Sequence, residues 1–583
     1  MNLCLVALMF VTASTSVFAQ PTPIAQRTLA SDQEFDSGSR IQISALTDIQ
    51  VGNLVTLARV WGFLKYHHPA VTAGKRNWDY DLFRVLPSVL AAPDRAHTND
   101  AILNWIDELG SVPACSPCVP APTGDLDLKP PLEWIHDQSA LGALLSERLE
   151  QIYAHRTGHQ FYVSQAWQTG NPQFDHEPAY PEIVYPDFRY QLLALFRWWN
   201  ILQYWAPDRN VADQDWPAVL KSLIPKVALA RDKQAYQLAI FEMIPATNDT
   251  HAGLEGALAK RPPVGNCAVP VSLRFIDGKP VVYRTSGDNT GLQPGDVLEK
   301  LDGVPIPSLV ADWSRFYAVS NGAALERDFA IILTRGICGS ISLDVRRNGH
   351  SQRVLTARIQ YDPVLTHDQP GDTFRLLSPD IAYIKLSSIK TGDLPAYFEK
   401  AKATKGLVVD IRNYPSEFMP FALGAYFAVR PTSFVVFTEC DLSNPGAFHF
   451  IAGPLIEPGP VHYGGKVVIL VDETTQSQAE YTAMALRAMP HALVVGSTTA
   501  GADGNVSLIP LPGGLKTMIS GLGVFYPNHW PTQRAGIIPD VTVRPTVQGV
   551  AAGRDEVLET AVHFIETGID PNKTRPATDQ SSK

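Results

Sequence analysis

Residues 466–501, KVVILVDETTQSQAEYTAMALRAMPHALVVGSTTAG, constrain the fold more than any other stretch of this protein. The apolar, β-branched run 467–471 reads as a short buried strand. A polar turn follows at 472–476. Ser477 then opens a helix in which Ala479, Met484 and Leu486 alternate with polar residues, and 492–496 reads as a second buried strand. Strand, turn, helix and strand form the unit of a parallel sheet, because parallel neighbours need a crossover between them. The unit places Ser477 at a helix N-terminus, where unpaired N–H groups and the positive end of the helix dipole can support an oxyanion. The same serine has a second reading: Ser477 and Glu480 have the spacing of a capping box. Locally, both readings stay open.

The 583 residues are enough for roughly three or four domains. The net charge of −10 comes with no basic patch or Arg-rich run, which argues against nucleic acid as a partner. Residues 1–19 read as a secretory signal. The run 3–11 is almost continuously apolar, and Val17-Phe18-Ala19 offers a cleavage site before Gln20, although the n-region lacks Lys and Arg. The run is too short to span a bilayer, so the expectation is an exported, periplasmic or extracellular protein without a membrane anchor after signal removal. Beyond Cys4, the cysteines are Cys115, Cys118, Cys267, Cys338 and Cys440. Cys115 and Cys118 form a lone C-x-x-C, weak as a zinc signal and compatible with a disulfide in an exported protein.

Residues 20–45 are polar and read as a linker. A helical module, 46–112, follows. Arg59-Val60-Trp61-Gly62-Phe63-Leu64-Lys65-Tyr66 aligns with Arg197-Trp198-Trp199-Asn200-Ile201-Leu202-Gln203-Tyr204 at an offset of 138, which also carries Pro69 to Pro207 and Trp78 to Trp216. This is an internal duplication, with a second copy at 188–262. The pair His67-His68 has Trp205 and Ala206 as counterparts, so the position asks for bulk rather than metal ligation. Asp175-His176-Glu177 lacks ligand spacing. Between the copies, 113–187 is a connector with one helix at 138–153, acting as a lid or as an insertion across the domain surface. The second copy ends in a polar loop, Asn248-Asp249-Thr250-His251-Ala252-Gly253.

Residues 263–360 change to short strands. Gly291-Leu292-Gln293-Pro294-Gly295-Asp296 and Leu301-Asp302-Gly303-Val304-Pro305-Ile306 resemble the PDZ family, with 297–301 as a central strand. That resemblance implies a peptide partner added to a sheet edge. From about Phe374 the pattern is α/β. Strands at 381–386 and 406–412 lead into the turn Asn413-Tyr414-Pro415-Ser416. Apolar segments at 510–518 and 521–526 follow, then the run Thr532-Gln533-Arg534-Ala535-Gly536-Ile537-Ile538-Pro539-Asp540. A closing helix at 554–566 and a disordered tail from 571 complete the sequence.

Taken in order, these motifs over residues 188–546 resemble the tail-specific, C-terminal-processing serine peptidases, in the branch that looks like the core of tricorn protease. The resemblance implies a multidomain α+β protein. Its parts are a duplicated helical N-terminal region, a small β-rich PDZ-like domain, a crotonase-like α/β catalytic domain at 361–548, and a C-terminal helix and tail at 549–583. It implies Ser477 as nucleophile and the Gln478 backbone N–H as one oxyanion donor. A second donor is expected near Ser416, where relatives carry a glycine pair and this sequence has Tyr414-Pro415-Ser416-Glu417. The lysine base of one branch is missing from Ala500-Gly501-Ala502-Asp503-Gly504, and Lys516 lies too far along the sequence to match. Thr250-His251 matches the histidine of the other branch.

The residue expected to orient His251 is Gln533, where that branch has a glutamate. An amide fixes a tautomer without offsetting the imidazolium charge, so Asp249 or Asp503 stand as alternative acids. The family implies no metal and no organic cofactor. It implies a peptide or protein substrate engaged by its carboxyl terminus at the PDZ-like domain. The competing expectation is a catalytically weak relative that binds hydrophobic ligands or peptides, as the interphotoreceptor retinoid-binding proteins do on a similar fold.

Overall fold

Two long helices, Asp48–His67 and Phe188–Trp205, carry the duplicated motif and pack against each other at its centre. They meet at Gly62 and Asn200, which are counterparts at the offset of 138. A Cβ at Gly62 would lie 1.9 Å from Asn200 Oδ1, so the approach requires glycine. Asn200 Nδ2 donates to Ala58 O at 2.9 Å and to Phe196 O at 2.8 Å, which pins the crossing. Each copy also holds its own tryptophan exchange. Trp61 Nε1 donates to Trp78 O at 3.3 Å and Trp78 Nε1 to Trp61 O at 3.2 Å. Trp199 and Trp216 repeat the exchange at 2.9 and 3.3 Å.

The structure, a computed structural model, describes residues 28–568 except 213, 258–259, 288–289 and 362–365. The expected signal at 1–19 and the tail from 571 lie outside the described residues. Residues 28–45, expected as part of a linker, instead pack onto the helical layer. Phe35 is buried, Tyr190 Oη donates to Phe35 O at 2.8 Å, and Arg84 binds Asp32 at 2.6 Å. Their polarity comes from ion pairs to the helices, which a reading by composition takes for solvation.

Under the helices lie two buried cations and two buried anions. Glu177 takes Lys65 at 2.6 Å and Arg197 at 2.8 Å, and Arg197 takes Asp79 at 2.6 Å. The charges balance, as burial at this depth demands. His67 Nδ1 bonds to Phe63 O at 2.8 Å, and burial lowers its pKa to about 3.

The connector runs across the rest of the molecule. Its strand Leu126–Leu128 joins Phe448–Ala452, and Asn171 Nδ2 reaches Val506 O at 3.1 Å. The strands between residues 267 and 360 form an antiparallel sheet in which Val297–Leu301 is flanked by Lys279–Thr285 and Gly339–Arg347. A disulfide between Cys267 and Cys338 ties its edge, and Cys115–Cys118 forms a second bridge.

The α/β unit holds strands in the order Phe374–Ser378, Ile381–Lys385, Gly406–Asp410, Lys466–Val471, Ala492–Gly496, Val541–Thr542. The first pairing is antiparallel and the rest are parallel. After its first residue, strand Lys466–Val471 is apolar throughout because both its faces are covered. Val467, Ile469 and Val471 join the core that includes the helix Gln478–Arg487. Val468 and Leu470 join the core under Glu556–Thr567. The mixed α and β, multidomain architecture read from the sequence is present.

A further three-stranded sheet decides the site. Pro512-Gly513-Gly514 folds the segment expected at 510–518 into a hairpin of Val506–Leu511 and Leu515–Ser520. Leu254–Glu255 then pairs antiparallel with its second strand, Thr517 facing Leu254 and Lys516 facing Glu255. Continued by one register step after another, that pairing brings the 248–253 loop alongside Ser520.

Candidate active site

Ser477 sits where Lys466–Val471 turns into the helix Gln478–Arg487, with φ 57° and ψ −123°. Such a conformation is costly for a residue with a Cβ, by about 1–3 kcal/mol, and persists only where the surroundings enforce it. The enforcement is visible. Ser477 N–H donates to Ala502 O at 2.9 Å and to Glu480 Oε2 at 3.2 Å, while Ser477 O accepts from Tyr481 N–H at 2.9 Å. The side chain is half-buried at the helix start. A serine on a strained strand-to-helix turn is the arrangement that exposes a nucleophilic hydroxyl above a sheet.

Glu480 organises the loop that faces this turn. It is fully buried and accepts from Gly501 N–H at 2.8 Å, from Ala502 N–H at 3.0 Å and from the Thr499 hydroxyl. Burial still pushes its carboxyl up to about 7. The capping partner expected from the sequence thus fastens the 499–502 loop to the serine turn. Gly501 has φ +70°, and a Cβ there would lie 2.7 Å from Asn321 Nδ2 and 2.9 Å from Arg534 O.

The same loop receives the histidine segment. Thr250 Oγ1 lies 2.9 Å from Ser320 Oγ and 3.4 Å from Ala500 O, with one hydroxyl proton between the two, and it accepts from Ser320 N–H at 2.8 Å. Arg327 bonds to Gln476, the residue before Ser477, and its charge also bears on His251. Ser477 and His251 are therefore mounted on one shared framework. Among the described residues, no hydrogen bond joins their side chains.

His251 Nδ1 lies 2.9 Å from Ser520 Oγ, and Ser520 Oγ lies 3.0 Å from Asp249 Oδ1. Asp249 Oδ2 also accepts from Ser520 N–H at 2.6 Å, and Oδ1 accepts from His251 N–H at 2.9 Å. The ionised carboxylate can only accept, so the single hydroxyl proton of Ser520 points to Asp249. Nδ1 must then carry the ring proton, which leaves Nε2 bare. Burial lowers the His251 pKa, Asp249 opposes the shift and Arg327 adds to it.

Two expectations from the sequence are corrected here. The first has Gln533 accepting from the imidazole. Nδ1 goes to Ser520 instead, and Gln533 Oε1 is buried without a donor among the described residues. Asp249, one of the alternative acids, bonds to Ser520, the partner of His251 Nδ1. The other, Asp503, uses Oδ1 on Gly504 N–H at 2.7 Å, and burial raises its pKa well above the usual carboxylate range.

The second expectation places an oxyanion donor near Ser416. The Ser416 N–H is already committed to Leu386 O at 2.9 Å, and its hydroxyl to Ile389 O at 2.6 Å. The turn does lie at the serine, since Gln478 Nε2 donates to Glu417 O at 2.9 Å. The backbone N–H of Gln478 has no acceptor among the described residues.

Ser520 is the partner of His251 that the sequence does not mark. It falls at a strand end beside Gly521, and no local pattern sets it apart. Two groups have metal-like donor sets among the described residues: Cys115, Cys118 and His155, and His367, Asp472 and Glu473. The thiols of the first are joined as a disulfide. In the second, the Arg274 guanidinium sits 2.9 Å from Asp472 and 2.8 Å from Glu473 and already occupies the carboxylates as their cation.

Residues 380–543 match the family described as Peptidase family S41. The protein is 25% identical over 293 residues to the carboxyl-terminal-processing protease of Synechocystis sp. (strain ATCC 27184 / PCC 6803 / Kazusa), covering 48% of its own length and 63% of that relative. It is 24% identical over 289 residues to the chloroplastic carboxyl-terminal-processing peptidase 2 of Arabidopsis thaliana, covering 48% and 51%. The matches thus span between a half and two thirds of these curated relatives. Among solved structures, mature CPAF complexed with lactacystin shares the fold, with a TM-score of 0.53 at 16% identity over 66% of this protein and 99% of that one.

Proposed function

We propose that this protein, a member of peptidase family S41 related to the carboxyl-terminal-processing proteases, hydrolyses peptide bonds through an acyl-enzyme on Ser477. The observation that carries the reading is Ser477 itself, a non-glycine residue held at φ 57° at a helix N-terminus. Beside it stands the Gln478 N–H, without an acceptor among the described residues. A cap has no use for that strain, whereas a nucleophile that must stand clear of its own turn does.

His251 Nε2 removes the Ser477 hydroxyl proton as Oγ attacks the peptide carbonyl, and the C=O pair moves onto oxygen. The Gln478 N–H and the helix dipole hold that oxyanion. Collapse breaks the C–N bond, and the imidazolium gives its proton to the leaving amine. Water then repeats the cycle on the ester, with His251 again as base. Asp249, acting through the Ser520 hydroxyl, keeps Nδ1 protonated and stabilises the imidazolium. Thr250 fixes the loop that carries the ring. Closure on substrate must bring Ser477 and His251 into hydrogen-bond reach.

The remaining expectations belong to this reading. The 263–360 sheet domain is PDZ-like and receives the extended ends of peptide substrates. The protein is exported, a reading supported by its two cystine bridges. Exposed Tyr414 and Phe418 flank the turn beside Gln478 and offer apolar contact to a peptide.

The test is hydrolysis of an unstructured protein such as reduced casein. Wild type cuts it, and Ser477→Ala and His251→Ala lose at least about 10³-fold in rate. Equal cutting by wild type and Ser477→Ala, or a folded wild type that binds peptide without cutting it, would favour the carrier reading instead.

A further inference from the structure

A cavity of about 240 Å³ lies behind the His251 support. Leu202, Ala206 and Trp216 of the second helical copy give it an apolar wall. Asp249, Ser520 and Gln533 also line it, as do Asp208 and Arg209.

Its polar groups do not satisfy one another. Gln533 is only 4% exposed, and its Oε1 has no donor among the described residues. Asp208 lines the same space. Desolvation raises its carboxyl well above the usual range, and Asp249 and Asp127 add repulsion. The cation on this wall is turned elsewhere: Arg209 Nη2 caps Lys129 O at 2.6 Å and Gly446 O at 2.7 Å, and its charge is offset by Asp127. Its Nη1 has no acceptor among the described residues and can take a carbonyl. The cavity wall thus combines acceptors, Asp208, Asp249 and Gln533 Oε1, with the apolar side chains Leu202, Ala206 and Trp216.

We propose that this cavity is a substrate subsite for a lysine or arginine side chain, with the cationic head on Asp208 and Gln533 Oε1 and the aliphatic stem along Leu202, Ala206 and Trp216. The inference rests on the peptidase reading and names its substrate class. Carboxyls gathered in one cavity with an unpaired buried amide oxygen repel one another, and a cation brought among them removes that cost. The aliphatic stem of either residue suits the apolar wall. Asp249 and Ser520, which support His251, form part of the cavity wall, so an occupant lies against the His251 support.

The test separates binding from turnover. Fluorescein-labelled decapeptides carrying one arginine, one lysine or one norleucine at each position in turn are titrated onto the Ser477→Ala protein. At one position the arginine and lysine peptides should bind at least about tenfold tighter than norleucine, and Asp208→Asn in that background should close most of the gap. Equal affinity for basic and norleucine peptides at every position overturns the proposal, and this readout needs no second variant to fold. A gap that survives Asp208→Asn in a folded protein also overturns it. If the wild type cuts none of the peptides while the gap stands, the peptidase reading fails and the subsite does not.

Discussion

At the scale of single residues, the site depends on where one proton sits. Ser520 has one hydroxyl hydrogen, Asp249 can only accept, and His251 Nδ1 is therefore the donor of the pair. Ser520→Ala removes the acceptor and should lower kcat by about 10²–10⁴-fold with little change in KM, while Gln533→Ala should cost much less in kcat. The opposite ranking would return the orienting role to Gln533. The pH profile follows with a definite sign. In the proposed mechanism His251 works as a neutral base, and burial lowers its pKa, so activity is present above that pKa and is lost as pH falls through it, at a point below the ordinary value of 6.5. Asp249 raises that pKa, so Asp249→Asn should move the acid limb to lower pH while kcat drops. A limb that moved upward would contradict this electrostatic assignment.

Among the elements, a loop and a strand pair far apart in sequence assemble the site. Ser477 and His251 are legible because each carries a local pattern: a strand, turn and helix for one, a Thr-His loop at a domain junction for the other. Ser520 is not, because its link to His251 spans 269 positions and exists only once Leu254–Glu255 pairs with Leu515–Ser520. Ser416 misleads for a related reason. Whether a turn N–H is free depends on a distant carbonyl, here Leu386 O. Glu480 reads as a cap, but its further role in holding Gly501 and Ala502 needs the loop in place. That loop is sensitive. Gly501→Ala places a methyl group against Arg534 O and Asn321 at a positive φ. It should lower kcat/KM by about 10²-fold through misplacement of the Ser477 turn. Unchanged kinetics in a folded Gly501→Ala protein would show that the loop does not position the serine.

Across the whole molecule, the helical copies, the connector and the β-rich domain all bear on the catalytic unit. The duplication is legible as an ungapped offset. The packing of residues 28–45 is not, because ion pairs disguise a docked segment as a polar one. The β-rich domain reaches the site through Arg274, which is buried against Asp472 and Glu473 in the turn that leads to Ser477. Arg274→Ala leaves those carboxylates short of a cation and should cost about 3–5 kcal/mol in chemical denaturation. A loss under about 1 kcal/mol, the worth of an exposed pair, would mean that His367, 2.8 Å from Asp472, suffices alone.

The proposed function depends on Ser477 being a nucleophile activated by His251. Labelling with a fluorophosphonate, followed by peptide mapping in a mass spectrometer, reads both halves of that statement at once. One adduct is expected, on Ser477, formed at least about 10²-fold more slowly in His251→Ala. A folded protein that takes no label on Ser477, or one labelled there equally fast without His251, would refute it.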